Sequence, residues 1–263
     1  MTIASLLDRW GNAMLGDLSI KGIRGNTGRE GMHLVDSVPT AHAEVQAFVM
    51  ELCETEPLSL DWPDLLKTNA LASTIQQEFH AATTPLMPRS VYRSRRFRVD
   101  GADPTSEEFK APPIGTQSPL RYNEGGDQRV LYLSSNAGLA ALECDATVDK
   151  PRVFVQRFDL NLPDRRIVRL RPDLEARFPH LHYLMFDSEY LPTHGHEFAN
   201  VRNPYRATHF LAYLCAAADV SAIEYPSVRR GSHGFGSDVN LAIFGDAIDE
   251  AQAQMSGAPV QWK

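Results

Sequence analysis

Residues Ser118–Glu143 read SPLRYNEGGDQRVLYLSSNAGLAALE. A polar loop with two adjacent glycines gives way to RVLYLSS (Arg129–Ser135), a short apolar run of the kind that forms a buried strand. NAGLAALECDA follows, with Asn136 placed to accept the first unpaired amides of a helix. Side chains alternate along a strand, so Tyr132 points away from the face that carries Leu131 and Leu133. The helix that carries Glu143 starts near the end of that strand, so a carboxylate on it can face a cleft.

The flanks extend this loop–strand–helix unit into a mixed domain. VYRSRRFRV (Val91–Val99) is rich in strand formers and is followed by a long loop of Pro, Gly and Asp. VFVQRFDL and RIVRL read as two further strands. Residues 172–200 are ambiguous, with a helical patch around HLHYLMFDSEYL. Asn203 is placed to cap a helix, PYRATHFLAYLCAAA, with Pro204 in its first turn. SAIEYPSV and VNLAIF then close the chain as strands.

The first third reads helical instead. Apolar residues recur at helical spacing in Ser5–Leu18 and again in His42–Glu54, where Val45, Phe48, Val49 and Leu52 form one stripe. Pro63 starts a third helix, DLLKTNALASTIQQEFHAA, which the prolines of ATTPLMP end. The expected division is a helical N-terminal region over residues 1–86 and a catalytic domain over 87–263. Few uninterrupted βαβ units occur, so the expected class is α+β.

Composition narrows the function. The 263 residues carry a net charge of −7, against the basic surface that a phosphate-backbone binder needs, so direct nucleic-acid binding is not expected. Cys53, Cys144 and Cys215 are few, odd in number and far apart, which fits reduced thiols and no disulfide framework. The N-terminus lacks the basic and apolar run of a secretory signal, and no segment is long and apolar enough to span a bilayer, so a cytoplasmic location is expected. No Walker loop, GxSxG elbow or HExxH is present. GSHGFG (Gly231–Gly236) reads as a turn rather than a dinucleotide loop. His180, His182, His194, His196 and Glu197 are of metal-ligating type, but their scatter fits solvated loops better, and no metal is expected.

Three segments carry chemistry when taken in order: Arg93 in VYRSRRF; Arg121, Tyr122, Asn123, Tyr132 and Glu143 in the central stretch; and Ser227 and Asn240 in IEYPSVRRG…SDVNLAIF. An RxN before a glycine loop, then LYL, then a helix with A-L-E, then YPS and N-L-x-x-F, resembles the RES-domain family. The resemblance covers about residues 88–247. It implies a core like that of ADP-ribosyltransferase toxins, breakdown of NAD⁺ at the nicotinamide–ribose bond, and Arg121, Tyr132, Glu143 and Ser227 as active-site positions. It also implies a toxin of a toxin–antitoxin pair, neutralised by a helix-turn-helix (Xre-type) antitoxin. Residues 1–86 have no counterpart in compact members of the family, and the segment from about 160 to 205 is longer than theirs.

The chemistry fits those residues. Nicotinamide is cationic while attached and leaves neutral, so its departure needs no general acid, and one carboxylate, Glu143, suffices to steady charge developing on the ribose. Arg121, with Arg93 as a second contact, suits the pyrophosphate, because a planar guanidinium matches phosphate oxygens. The resemblance gives Tyr132 as the residue to pack against ribose or nicotinamide, Ser227 to bond the sugar or carboxamide and Asn240 to hold the site from a neighbouring strand, with Tyr122 and Asn123 expected as further substrate contacts. No cofactor is expected: NAD⁺ is the substrate, and inorganic phosphate is a candidate co-substrate, with Arg93, Arg95 or Arg229 to hold it. Alternatives are ADP-ribose transfer to a macromolecule, with the 100–120 loop receiving the acceptor, and a non-enzymatic scaffold whose N-terminal helices bind a partner. Docking on the catalytic domain is the default expectation for those helices, with a homodimer contact or antitoxin binding as alternatives.

Overall fold

The computed structural model describes residues 32–54, 61–116, 120–124, 128–144, 152–169, 172–185, 203, 205–227 and 238–262. The helix expected at Ser5–Leu18 and the GSHGFG turn lie outside them.

Three helices come first: α1 (Met32–Glu54), α2 (Trp62–Thr68) and α3 (Ala70–Ala82). The stripe on α1 is buried as its spacing requires, with Val45, Phe48, Val49 and Leu52 all inside. The single helix expected from Pro63 onward is broken at Asn69. That residue ends α2 in an extended conformation (φ −107°, ψ 114°), and its side chain accepts the Ala72 N–H at 3.0 Å to start α3. An Asn side chain that competes for backbone amides favours a cap over a helix interior.

The sheet has eight strands: β1 (Thr84–Pro85), β2 (Arg89–Phe97), β3 (Val130–Ser134), β4 (Arg152–Leu160), β5 (Arg166–Arg169), β6 (Ala222–Pro226), β7 (Val239–Phe244) and β8 (Met255–Gln261). Their spatial order is β1-β5-β6-β7-β3-β2-β4-β8, antiparallel except between β5 and β6. Helices α4 (Ala137–Glu143), α5 (Pro172–Arg177), α6 (Arg206–Ala217) and α7 (Ala247–Gln252) flank it, and residues 179–185 are also helical. The α+β class is as expected.

Two expectations need correction. The chain does not close at VNLAIF: α7 and β8 follow, and β8 becomes an edge strand on β4. The helix expected from Pro204 starts at Arg206, after the Asn203 side chain has accepted the Tyr205 N–H at 3.0 Å. The long loop also has internal order. A short 3₁₀ turn at Ser106–Phe109 buries Phe109 against Phe97.

The sheet separates two cores. One face carries Leu131, Leu133, Ile167, Leu241 and Ile243, covered by Ile248 and Ala251 of α7. The other carries Val130, Ile223, Tyr225 and Ala242, packed on Phe210 and Leu214 of α6 together with Phe48 of α1 and Ile75 and Phe79 of α3. The described N-terminal helices therefore share a core with the sheet, and β1 ties their end to it through Thr84 opposite Ile167.

The position of the cleft follows from strand pairing. β2 runs beside β4 over nine residue pairs, and β3 beside β7 over five, yet β2 and β3 meet only at Tyr92 opposite Ser134. The sheet opens there, and α4 packs against β2, β3 and β4 along the seam.

Candidate active site

The strand and helix that flank the seam present their polar residues to one another. Asn136 caps α4 by accepting the Leu139 N–H at 2.8 Å, and its amide donates to Asp238 at 2.6 Å. The cap fixes the start of a seven-residue helix, and so fixes where its last residue, Glu143, emerges. Glu143 Oε1 accepts from Ser227 Oγ at 2.7 Å and from Asn240 Nδ2 at 2.8 Å. Asn240 Oδ1 in turn accepts from Ser134 Oγ at 2.8 Å, across the β3–β7 pair that register places opposite. Three residues, Ser134 and Asn240 on strands and Ser227 at the end of β6, thus hold the carboxylate that α4 carries.

Glu143 and Asn240 stand on the wall of a cavity of about 360 Å³, together with Arg93, Arg121, Tyr132 and Tyr225. Arg121 sits in a tight turn closed by hydrogen bonds between Leu120 and Asn123 in both directions, and its guanidinium lies 5.6 Å from the Tyr225 ring centre. Arg93 reaches into the seam, where its Nη1 donates to the Tyr132 carbonyl at 3.4 Å. Among the described residues, Arg93 pairs with no carboxylate, and its Nε has no hydrogen-bond partner. Burial, reinforced by the charge of Arg95, pulls its guanidinium down to about 10. A desolvated cation in this state is relieved by an anionic ligand.

Tyr132 points into the same cleft, opposite in pleat to Leu131 and Leu133, which are buried on the other face. Its hydroxyl accepts the Tyr122 N–H at 2.9 Å, and burial pushes its phenol up. The hydroxyl is thereby tied to the loop that carries Arg121.

Not every residue expected at the site reaches the cavity. Tyr122 and Asn123 are buried behind it: Tyr122 packs on Tyr225 and Phe244, and Asn123 sits at 3.5 Å from the Tyr132 hydroxyl. Both belong to the turn's anchor and lie off the cavity wall, because their side chains are engaged in packing and hydrogen bonding behind it. Ser227 is also off the wall and acts on Glu143 from behind. Arg95 bonds the Lys110 carbonyl at 3.0 Å and does not line the cavity. Arg229 lies outside the described residues.

Sequence reading missed Tyr92, Ser134, Tyr205 and Tyr225 on the cavity wall. A signal for Tyr225 existed: it stands two residues before Ser227, on the same side of a strand. Ser134 needed the register with Asn240, which a single sequence does not carry. Of the histidines, His180 pairs with Glu78 at 2.8 Å and lies 3.6 Å from Glu44. Among the described residues no group of three or more metal-ligating side chains converges; His194, His196 and Glu197 lie outside them. No described helix is long and apolar enough to cross a membrane.

The RES domain matches residues 90–263 of the chain. No curated protein matches it. Among solved structures, it is similar to one described as the crystal structure of the M.tuberculosis MbcT-MbcA toxin-antitoxin complex. The two are 12% identical, with a TM-score of 0.45, over 74% of this chain and 94% of the other. Since the matched span is well over half of the 263 residues, the chain belongs to the RES-domain family.

Proposed function

We propose that the protein degrades NAD⁺ by cleaving its nicotinamide–ribose bond. The observation that carries this reading is the shared cavity. A carboxylate held by Ser227 and Asn240 opens onto the same space as two guanidiniums, one of them buried without a carboxylate partner among the described residues. NAD⁺ needs both functions at once, a negative charge beside the reacting ribose and cations on its pyrophosphate.

In this reading Arg121 and Arg93 bind the pyrophosphate, each charge-assisted bond contributing roughly 1.5–3 kcal/mol. Glu143 stabilises positive charge on the ribose as the bond from C1″ to the pyridinium nitrogen lengthens. The bonding electron pair leaves with nicotinamide, which departs neutral. Water or inorganic phosphate then forms the new bond at C1″, giving ADP-ribose and a proton or ADP-ribose 1″-phosphate. Tyr132 and Tyr225 supply aromatic walls for the ribose and the departing ring. The RES family supports a toxin role, with a helix-turn-helix antitoxin as partner. Expression of wild type should then arrest cell growth, while Glu143→Ala should be tolerated; equal tolerance of both would count against toxicity.

Mass spectrometry of NAD⁺ incubated with the pure protein, with and without phosphate, tests the reaction. Free nicotinamide with ADP-ribose in both conditions identifies hydrolysis, and 1″-phosphate formed only with phosphate identifies phosphorolysis. A mass increase on a protein would point instead to ADP-ribose transfer, and intact NAD⁺ under all conditions would refute the proposal.

A further inference from the structure

The turn that carries Arg121 is held from one side by α6. Thr208 Oγ1 donates to the Arg121 carbonyl, and His209 Nε2 lies 3.0 Å from the Leu120 carbonyl, where it must act as the donor because a carbonyl only accepts. Arg206 Nη1 bonds Glu124 Oε1 at 2.6 Å, and His209 Nδ1 lies 3.6 Å from the same oxygen. Three residues in the first turn of α6 therefore grip both ends of the turn, residues 120 to 124.

That first turn does not cap itself. Tyr205, at the N-cap, makes no side-chain capping bond. The Arg206 N–H, first of its amides, is met by the Asn203 carbonyl at 3.2 Å, and Asn203 is held in turn by the N-terminal region. The Cys53 carbonyl accepts the Asn203 N–H at 3.3 Å, and the buried Cys53 thiol faces the backbone amides of Arg206 and Ala207. The Arg206 guanidinium, only 3% exposed, lies 5.3 Å from the centre of the Trp62 ring, which also packs on Phe210. Cys53 and Trp62 both precede residue 90, where the RES match begins.

We infer that the N-terminal helices complete the active site by setting the position of Arg121. Cys53 and Trp62 fix the first turn of α6, and Arg206, Thr208 and His209 pass that position to the 120–124 turn. These are positioning residues: none of the five lines the cavity. The inference rests on the reading of Arg121 as a pyrophosphate contact. It gives residues 32–86 a task beyond covering one face of the sheet.

The test uses the full chain with Trp62→Leu, which keeps apolar bulk at a half-buried site, and Trp62→Phe, which restores an aromatic face. Glu124→Gln tests the other end of the relay. For Trp62→Leu and Glu124→Gln, KM for NAD⁺ should rise roughly tenfold, the scale of one desolvated cation–π or ionic contact, with kcat within about threefold. Trp62→Phe should recover most of the loss. In an Arg121→Ala background the same substitutions should add nothing, since the residue they position is gone. Hydrogen exchange without substrate should quicken at residues 120–124 while β3 and β7 stay protected. Additive losses, or kcat and thermal stability falling together with KM unmoved, would reduce the helices to structural support and overturn the inference. If wild type does not cleave NAD⁺, the proposed reaction fails, and exchange decides the relay alone: unchanged exchange at 120–124 in Trp62→Leu overturns it.

Discussion

Residue by residue, the site depends on polar groups that hold one another in place. The Ser227 and Asn240 bonds to Oε1 set the plane of the Glu143 carboxylate. Ser227→Ala removes one of them, and NAD⁺ turnover should fall about tenfold, less than the roughly 10²–10³ lost with a direct stabilising group, because Ser227 acts through Glu143. Steady-state kinetics on the folded variant check this. Tyr132→Phe should destabilise the protein by about 1–3 kcal/mol in urea unfolding, because the buried Tyr122 N–H loses its acceptor. Burial lowers the His182 and His209 imidazoles below their ordinary 6.5. The unfolded chain therefore binds protons that the folded chain resists, so stability is full above pH 6.5 and declines as pH falls through it. Urea unfolding at pH 7.5 and 5.5 should show the lower stability at 5.5. Several of these residues were legible as types in a pattern, such as Arg121, Tyr132 and Glu143. Arg93 was harder, because RSRR reads as a solvated charge run, and only the opening between β2 and β3 draws that one arginine inward.

Among the elements, α4 shows how a local signal reaches the chemistry. Asn136 was identifiable from its place before NAGLAALE, and its cap is intact. Asn136→Ala should cost about 1 kcal/mol of stability, as a lost N-cap does. It should also lower turnover, because the helix that ends in Glu143 loses its fixed start; denaturant melts and turnover measured on one preparation check both. β8 was not legible. It contains Gly257 and Pro259, poor strand formers, and half of it is exposed. Its pairing with β4 makes it a strand, and the register shift near Val155 and Arg157 is accommodated beside Gly257 at φ 68°. A long-range partner decides such a strand, and local composition does not announce it. The break between α2 and α3 failed for the opposite reason: the helical spacing on both sides continued through Asn69, and the capping side chain outweighed it.

For the whole molecule, the change of texture near residue 86 marks where helices give way to strands, yet the physical core crosses it. Val45, Phe48, Ile75 and Phe79 pack in one cluster with Phe210, Leu211 and Ile223. The amphipathic stripe of α1 was visible in sequence, but its partner was not, since an apolar face states only that something covers it. Phe79→Ala should cost about 3–5 kcal/mol, the usual loss for a fully buried ring. Far-ultraviolet dichroism and tryptophan fluorescence should report one shared transition, because the described helices and the sheet bury each other. At this scale too lies the meaning of the seam. Where β2 and β3 share a single residue pair, the sheet leaves a cavity whose wall holds a fixed carboxylate and two guanidiniums. The most direct measurement is the rate of nicotinamide release from NAD⁺ by wild type and by Glu143→Gln of equal thermal stability. The account predicts release by wild type and a rate lower by roughly 10²–10³ in the variant; equal rates in the two proteins would contradict it.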